Sequence, residues 1–495
     1  MTALRRPSSQ PSSDITHKNI RHNVFLAVVI IYLIVLMSIS RLTSRQSGNS
    51  AFFSGEHRSP WYMVAFGMIG ASISGVTFVS VPGMVLQQDM TYLQTCLGFI
   101  LGYYAVAYIL LPLYYRLRLT TIYTYLGKRL GHSSHLTGTI FFFISKLAGA
   151  AIRFYVVCML LQRFVLDPYG IPFFITVPVL VLLIWLYTRR AGIKTLVWTD
   201  TLQTLFMFVA VIMITAAVIG RLDMSLTEAT RAVMDNPMSR IFVFDDATSR
   251  QYFWKQFLSG VFIVIVMTGL DQDMMQKSLT CPTLRDAQKN LCSYGYAFVP
   301  ANLLFLFLGV LLVILSTQQG IALPTKGDEL LPSFAATGYL GDTVLAIFAI
   351  GLVASSFSSA DSAMTALTTC FCIDICRRGD DERLRRRAHM GIIMLFIIAI
   401  LIFDSIGSSS VIDLIYVVCG YTYGPLLGLF LFGMTTRYAV RDRLVPYVCI
   451  LSPVICYTIN IVSLRLWDYH FGYEMLMLNG LLTYLGLFML RTGKR

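Results

Sequence analysis

Apolar residues along this chain run together rather than alternating with polar ones. Stretches near the roughly 20 mostly apolar residues that a bilayer-spanning helix needs fall at 24–40, 61–86, 95–115, 137–164, 172–188, 196–219, 256–278, 293–316, 341–375, 390–408, 411–435, 445–465 and 472–490. The pattern predicts an all-α polytopic membrane protein with thirteen transmembrane helices. A polar, basic tail over residues 1–23 precedes the first stretch and no small-residue cleavage site follows it. That stretch therefore reads as a retained helix, not a removable signal peptide.

Composition agrees. Of 495 residues, 56% are hydrophobic and 13% charged, with a mean hydropathy of +0.68, against about 25% charged in soluble domains. An ordinary cytosolic enzyme and a disordered chain are both excluded. The ten cysteines lack paired extracellular or metal-ligand spacing and mostly sit in apolar segments, where they read as small buried hydrophobes.

The net charge of +13 would suggest nucleic acid in a soluble chain, but position explains it. Thirteen spans put the termini on opposite sides, and one set of loops holds 25 basic residues against ten in the other. Basic residues favour cytoplasmic loops. The larger set, which includes Lys277 and the mixed-charge run Arg377–Arg387, and with it the C-terminus, is therefore expected in the cytoplasm, although the basic N-terminal tail runs against the rule. Arg377–Arg387 reads as a solvated loop, with lipid or partner binding as its less expected role.

Chemistry concentrates where the apolar runs are interrupted. The second stretch carries Gly67, Gly70, Gly75, Pro82 and Gly83 with Ser72, Ser74, Thr77 and Ser80. Irregular backbone at membrane depth persists only where it lines a cavity or is buried in protein, and its freed carbonyls can coordinate a cation. Close packing through small residues would explain the glycines but not four hydroxyls as well. Five spans later, Ser259-Gly260 and Thr268-Gly269 break a run that ends in Asp271-Gln272-Asp273. Paired interruptions in two halves point to a transporter of inverted repeats, with a channel still open on this evidence.

The ninth stretch places Ser355, Ser358, Ser359 and Ser362 at i, i+3, i+4, i+7, one face of a helix, beside Asp361. Such hard oxygen donors suit an alkali or alkaline-earth cation. An interhelical hydroxyl seam is the plainer reading, but an intramembrane carboxylate is a functional candidate by default. Asp200, about one turn inside the sixth stretch, is either a second cation or proton-relay residue or the partner of a nearby arginine.

These segments together resemble the sodium/solute symporter family, which includes bacterial proline, sialic acid and galactose carriers. The strings are ASISGVTFVSVPG (71–83), TTIYTYLGKRLG (120–131), GIKTLVWTDTLQ (192–203), GLDQDMMQKSL (269–279), SSFSSADSAMTAL (355–367) and VIDLIYVVCGYTYGPLLG (411–428). The resemblance implies a LeuT-like five-plus-five inverted repeat. Residues 61–219 and 253–435 would form the repeats, with 220–252 an extracytoplasmic loop between them. One extra helix (24–40) would precede the repeats and two (445–490) follow, leaving an extracytoplasmic tail 1–23 and a cytoplasmic tail 491–495.

It further implies a first sodium site built from the carbonyls of Gly70, Ile73 and Ser355 and the hydroxyls of Ser358 and Ser359. Some members hold a second sodium ion, and the matching positions are Asp200, Ser358, Asp361 and Ser362. Asp361 stands where two-sodium members can have serine, so the implied count is one or two. The implied solute pocket is lined by Ser72, Ser74, Thr77, Tyr92, Cys96, Thr268, Tyr421 and Tyr423.

Arg153 adds chemistry to that pocket. A mid-span arginine costs at least about 2.5–3.5 kcal/mol on insertion scales, so it should face a cavity or an acid. Sialic acid carriers of the family use an arginine about one turn earlier in the same helix. A guanidinium grips a carboxylate with two parallel hydrogen bonds, which points to a carboxylate, sugar acid or sialic acid as solute. The alternative is an internal salt bridge to Asp200, Asp361 or Asp413. Lys146, seven residues earlier on the same face, can snorkel to the cytoplasmic interface.

The expected function is sodium-coupled uptake of a small organic solute by alternating access, in a monomer of the bacterial inner membrane. The alternatives are a neutral solute, proton coupling through Asp200 and Asp361, or a non-transporting sensor or channel. The last is disfavoured because the chain stops five residues after its last span. No nucleophile with a base suggests an enzyme.

Overall fold

The computed structural model describes residues 30–43, 48–189, 192–335, 337–406, 411–467, 469, 471–472 and 474–494, without the side chains of 164, 165, 168, 406, 411–419, 467 and 494. The main helices, in chain order, are α1 (Ile30–Thr43), α2 (Trp61–Ser72), α3 (Gly75–Gln88), α4 (Tyr92–Arg116), α5 (His132–Leu161), α6 (Phe173–Thr188), α7 (Ile193–Arg221), α8 (Phe253–Gly269), α9 (Gln272–Ser278), α10 (Leu284–Gln319), α11 (Asp342–Ile375), α12 (Glu382–Ser405), α13 (Val411–Thr435), α14 (Val445–Trp467) and α15 (Glu474–Met489). A short antiparallel pairing joins Tyr438–Val440 to Arg491–Lys494.

Within the described residues, each apolar stretch coincides with a helix or a bent pair of helices. Among the described residues, seven helices are long and apolar enough to cross a membrane, and nine if each bent pair is one span. α1, α6 and α15 are apolar but shorter. The tail 1–23 lies outside the described residues, and the nine described cysteines are free.

The two bent pairs are the interrupted stretches. α2 and α3 meet at 64° and α8 and α9 at 72°. At the first break Ile73 (φ −79°, ψ 77°) and Ser74 (φ −67°, ψ 170°) leave the helical region. Gly75 then starts α3 against α11, where a Cβ would come within 2.1 Å of Ser356 Oγ. A larger residue would push these helices apart. α2 likewise lies against α7, since a Cβ on Gly67 would sit 3.0 Å from Asp200 Cβ and one on Gly70 2.1 Å from Thr204 Oγ1.

α5, which carries Lys146 and Arg153, is anchored at its N-terminus by Asp442. That carboxylate accepts from the backbone N–H of Ser133 (2.7 Å) and Ser134 (2.8 Å). It satisfies donors that a helix start leaves free and complements the helix dipole.

Two expectations about loop charge are corrected. Lys277 is not a solvated loop residue but 1% exposed inside the bundle, because α9 turns 72° from α8 and is buried along its whole length. Removing it still leaves the loop bias at twenty-four against ten. Arg385, within the charged run Arg377–Arg387, is also buried; its guanidinium stacks 4.7 Å over Phe52 while pairing with Glu382.

Candidate functional site

A cavity of about 180 Å³ opens beside the first break. Its walls come from α2, α3, α4, α5, α8, α9, α10, α11 and α13. Among the expected pocket residues it receives Ser72, Ser74, Thr77, Tyr92, Arg153, Thr268 and Tyr423, and Ser359 of the hydroxyl stripe. Cys96 and Tyr421 are absent from the lining. The cavity face of α4 runs through Tyr92, Thr95, Phe99 and Tyr103, and Cys96 stands one residue round the helix from Thr95, fully buried. Tyr421 is two residues from Tyr423, hence some 200° round α13, and packs edge-on against Tyr457 of α14.

The two breaks treat their freed carbonyls differently. At the second, Tyr114 donates to the Gly269 carbonyl (2.9 Å) and Tyr123 to that of Leu270 (2.8 Å). At the first, the carbonyls of Gly70, Ala71, Ser72 and Ile73 receive no hydrogen bond from the described residues. Buried carbonyls without a donor are costly unless something else satisfies them. Ser359, on α11 across the cavity, likewise has no hydrogen-bond partner among the described residues. Unsatisfied hard oxygens of this kind fit a sodium ion. Ser355 donates to the carbonyl of Leu352 (3.1 Å), which leaves its own carbonyl outside that bond.

Four buried aspartates and two buried lysines stand beside this site. Asp271 caps α9 by accepting from the Asp273 N–H (2.9 Å) and also accepts from Tyr423 (2.7 Å) and Lys146 (3.1 and 3.2 Å). Lys146 stands 2.6 Å from Asp273. Asp200 accepts from Ser358 (2.8 Å) on one oxygen and faces the Lys277 ammonium at 2.8 Å on the other. Asp361 accepts from Tyr187 (2.6 Å) and Ser362 (3.2 Å).

Several alternatives are thereby decided. Asp200 pairs with a lysine from α9, not with an arginine. Ser358, expected at both sodium sites, spends its proton on Asp200. Lys146 pairs inside instead of snorkelling, because two carboxylates at the second break offset its desolvation. Arg153 makes no ion pair among the described residues, so Asp200 and Asp361 are not its partners; the Asp413 side chain lies outside them.

The residues that sequence reasoning passed over are Lys277, Asp273 as a lysine partner, and Tyr103 and Tyr294 in the cavity wall, the last hydrogen-bonded to Ser72. A signal existed in Asp273 and Lys277, four apart and so on one helical face. It was obscured because Asp271-Gln272-Asp273 reads as the end of the apolar run.

The family model of the sodium:solute symporter family matches residues 52–441. The chain is 25% identical to the sodium/sialic acid symporter NanT of Aliivibrio fischeri over 440 residues, covering 82% of each chain. It is 24% identical to the sodium/sialic acid symporter SiaT of Proteus mirabilis, covering 83% of this chain and 85% of that one. The human sodium/iodide cotransporter is 25% identical over 83% of this chain and 65% of its own. In fold, the chain resembles a sodium-coupled sialic acid symporter solved in a substrate-bound outward-open state, with a TM-score of 0.80 at 19% identity over 94% of this chain and 97% of that one. A nucleobase-cation-symport-1 family transporter gives a TM-score of 0.56 at 13% identity, over 88% and 92%. This chain therefore belongs to the sodium:solute symporter family and is a multi-pass membrane carrier that couples the movement of a small solute to sodium.

Proposed function

We propose that the protein takes up a small organic anion together with sodium by alternating access. The observation that carries the reading is Arg153: a guanidinium in the wall of a cavity at the first break, without an ion pair among the described residues. The chain places positive charge there at a cost, and a carboxylate of the solute would complete it through two parallel charge-assisted hydrogen bonds. Sialic acid, which two of the relatives are named for, is one solute of that class. Tyr92, Tyr103, Tyr294 and Tyr423 line the same cavity and offer aromatic faces to a sugar acid.

Sodium would sit between the carbonyls of Gly70 and Ile73 at the break and the Ser355 carbonyl and Ser359 hydroxyl of α11, with Ser358 contributing a lone pair. Its binding holds α2, α3 and α11 in one arrangement, which is how an ion at this place could order the pocket before solute arrives. One charge crossing 100 mV supplies about 2.3 kcal/mol and a tenfold sodium gradient about 1.4 kcal/mol more.

In topology, the proposal is thirteen spans. α1 precedes the core, α2/α3 to α7 form the first repeat, α8/α9 to α13 the second, and α14 and α15 follow. Loop charge favours a cytoplasmic C-terminus, and the expected state is a monomer.

The test is a melting screen of purified protein in sodium or choline against carboxylates, sugar acids, neutral sugars and amino acids. A ligand that binds the folded state raises its melting temperature. A carboxylate that stabilises only in sodium, and fails to do so in Arg153→Ala, is the expected result. Stabilisation by a neutral solute that survives this substitution would overturn the anionic reading.

A further inference from the structure

The residues matched to a second sodium site are partly occupied by the chain itself. Lys277 projects from α9 so that its ammonium stands 2.8 Å from one Asp200 oxygen and 4.0 Å from Asp273, while Ser358 donates to the other Asp200 oxygen. Lys277 and Asp200 are each 1% exposed. Asp361, held by Tyr187 and Ser362, is within electrostatic reach of both. We propose that the Lys277 ammonium is a built-in cation that fills the second cation site, so that a single sodium ion, at the Gly70–Ile73 break, accompanies each solute.

The argument is one of charge and space. A sodium ion ligated by Asp200 would lie beside an ammonium already in contact with the same carboxylate, in surroundings where burial leaves like charges poorly screened. The ammonium is tethered through a four-carbon stem to a seven-residue helix and therefore cannot leave as a bound ion does. It compensates the buried carboxylate at all stages of the cycle without being transported. Gly67 brings α2 to within contact of Asp200, so the fixed charge lies directly behind the helix whose broken end holds the proposed sodium. Lys277 is in this sense a determinant of ion stoichiometry and a positioning residue for Asp200, not a ligand of solute.

The inference rests on the sodium-coupled reading above, and the test separates the two. Radioactive sodium retained by purified full-length protein at saturation is counted per molecule, together with the sodium dependence of the melting temperature. Wild type and the charge-conserving Lys277→Arg should retain about one ion, and Lys277→Met, with Asp200 unpaired and its pocket vacated, about two; Ser359→Ala should hold the ion that wild type holds about tenfold more weakly. If wild type retains none, the sodium reading itself fails. If wild type retains two, or Lys277→Met still retains one, the built-in cation is refuted while sodium coupling stands. Should Lys277→Met not accumulate, Asp200→Asn decides. It should retain about one ion with a Kd within about twofold of wild type, whereas a sodium-ligating Asp200 would weaken binding by about tenfold or more.

Discussion

The Lys146 ammonium on α5 stands 2.6 Å from the Asp273 carboxylate on α9 and also bonds Asp271, the residue that caps α9. A single buried cation thus ties the second broken helix to the helix that carries Arg153. Removing one partner of a buried ion pair leaves the other charge uncompensated, at a cost of about 3–5 kcal/mol. Lys146→Met should therefore melt well below wild type. Adding Asp273→Asn to it should recover part of the loss, as a double-mutant cycle would measure. Equal melting of Lys146→Met and wild type would mean the contact carries no energy.

Arg153→Ala should weaken binding of a carboxylate solute about 10- to 100-fold, the worth of hydrogen bonds to a charged group, and leave the sodium-only melting temperature unchanged. Arg153→Lys should recover only part, since an ammonium cannot form the paired bonds. Titration calorimetry in sodium gives both numbers.

Ser359→Ala should raise the sodium concentration needed for half-maximal uptake by about tenfold, the equivalent of about 1.4 kcal/mol lost at one ligand. Ser356→Ala is the matched control. Its hydroxyl donates to the Leu352 carbonyl of its own helix, so sodium dependence should not move. Uptake measured against sodium concentration at fixed membrane potential separates the two.

Gly83 of α3 packs where an added Cβ would lie 1.9 Å from the carbonyl oxygen of Gly327, a backbone atom with no room to yield. Gly83→Ala should destabilise by about 1–3 kcal/mol through overpacking. Gly391→Ala on α12, where nothing lies within 4 Å, should be neutral or stabilise by about 0.5–1 kcal/mol because alanine is the better helix former. Thermal melts of the two variants in one detergent test the contrast.

The helices were legible because bilayer length and apolar composition are local properties, readable within a window of about 20 residues. The breaks were legible for a related reason: glycines and hydroxyls gathered at Ser72–Gly75 have no use on a lipid-facing helix. Arg153 stood out by its cost. Less legible were the partners of charges. Lys277 looked like loop charge because it follows Asp271-Gln272-Asp273 at the very end of its apolar stretch, and Cys96 and Tyr421 looked like pocket residues because family position does not specify which way a side chain turns.

By itself, then, the sequence determined the membrane class, the places where helices break, and the hard-oxygen chemistry beside the first break, all of which follow from what each short segment can bury or bond alone. Only the tertiary structure decided that Lys277 compensates Asp200, that Lys146 serves Asp271 and Asp273, and that Arg153 is left to the cavity. Ion pairing at membrane depth depends on distances between helices far apart in the chain. Asp200 and Lys277 are 77 positions apart in the sequence, yet their charged atoms stand 2.8 Å apart.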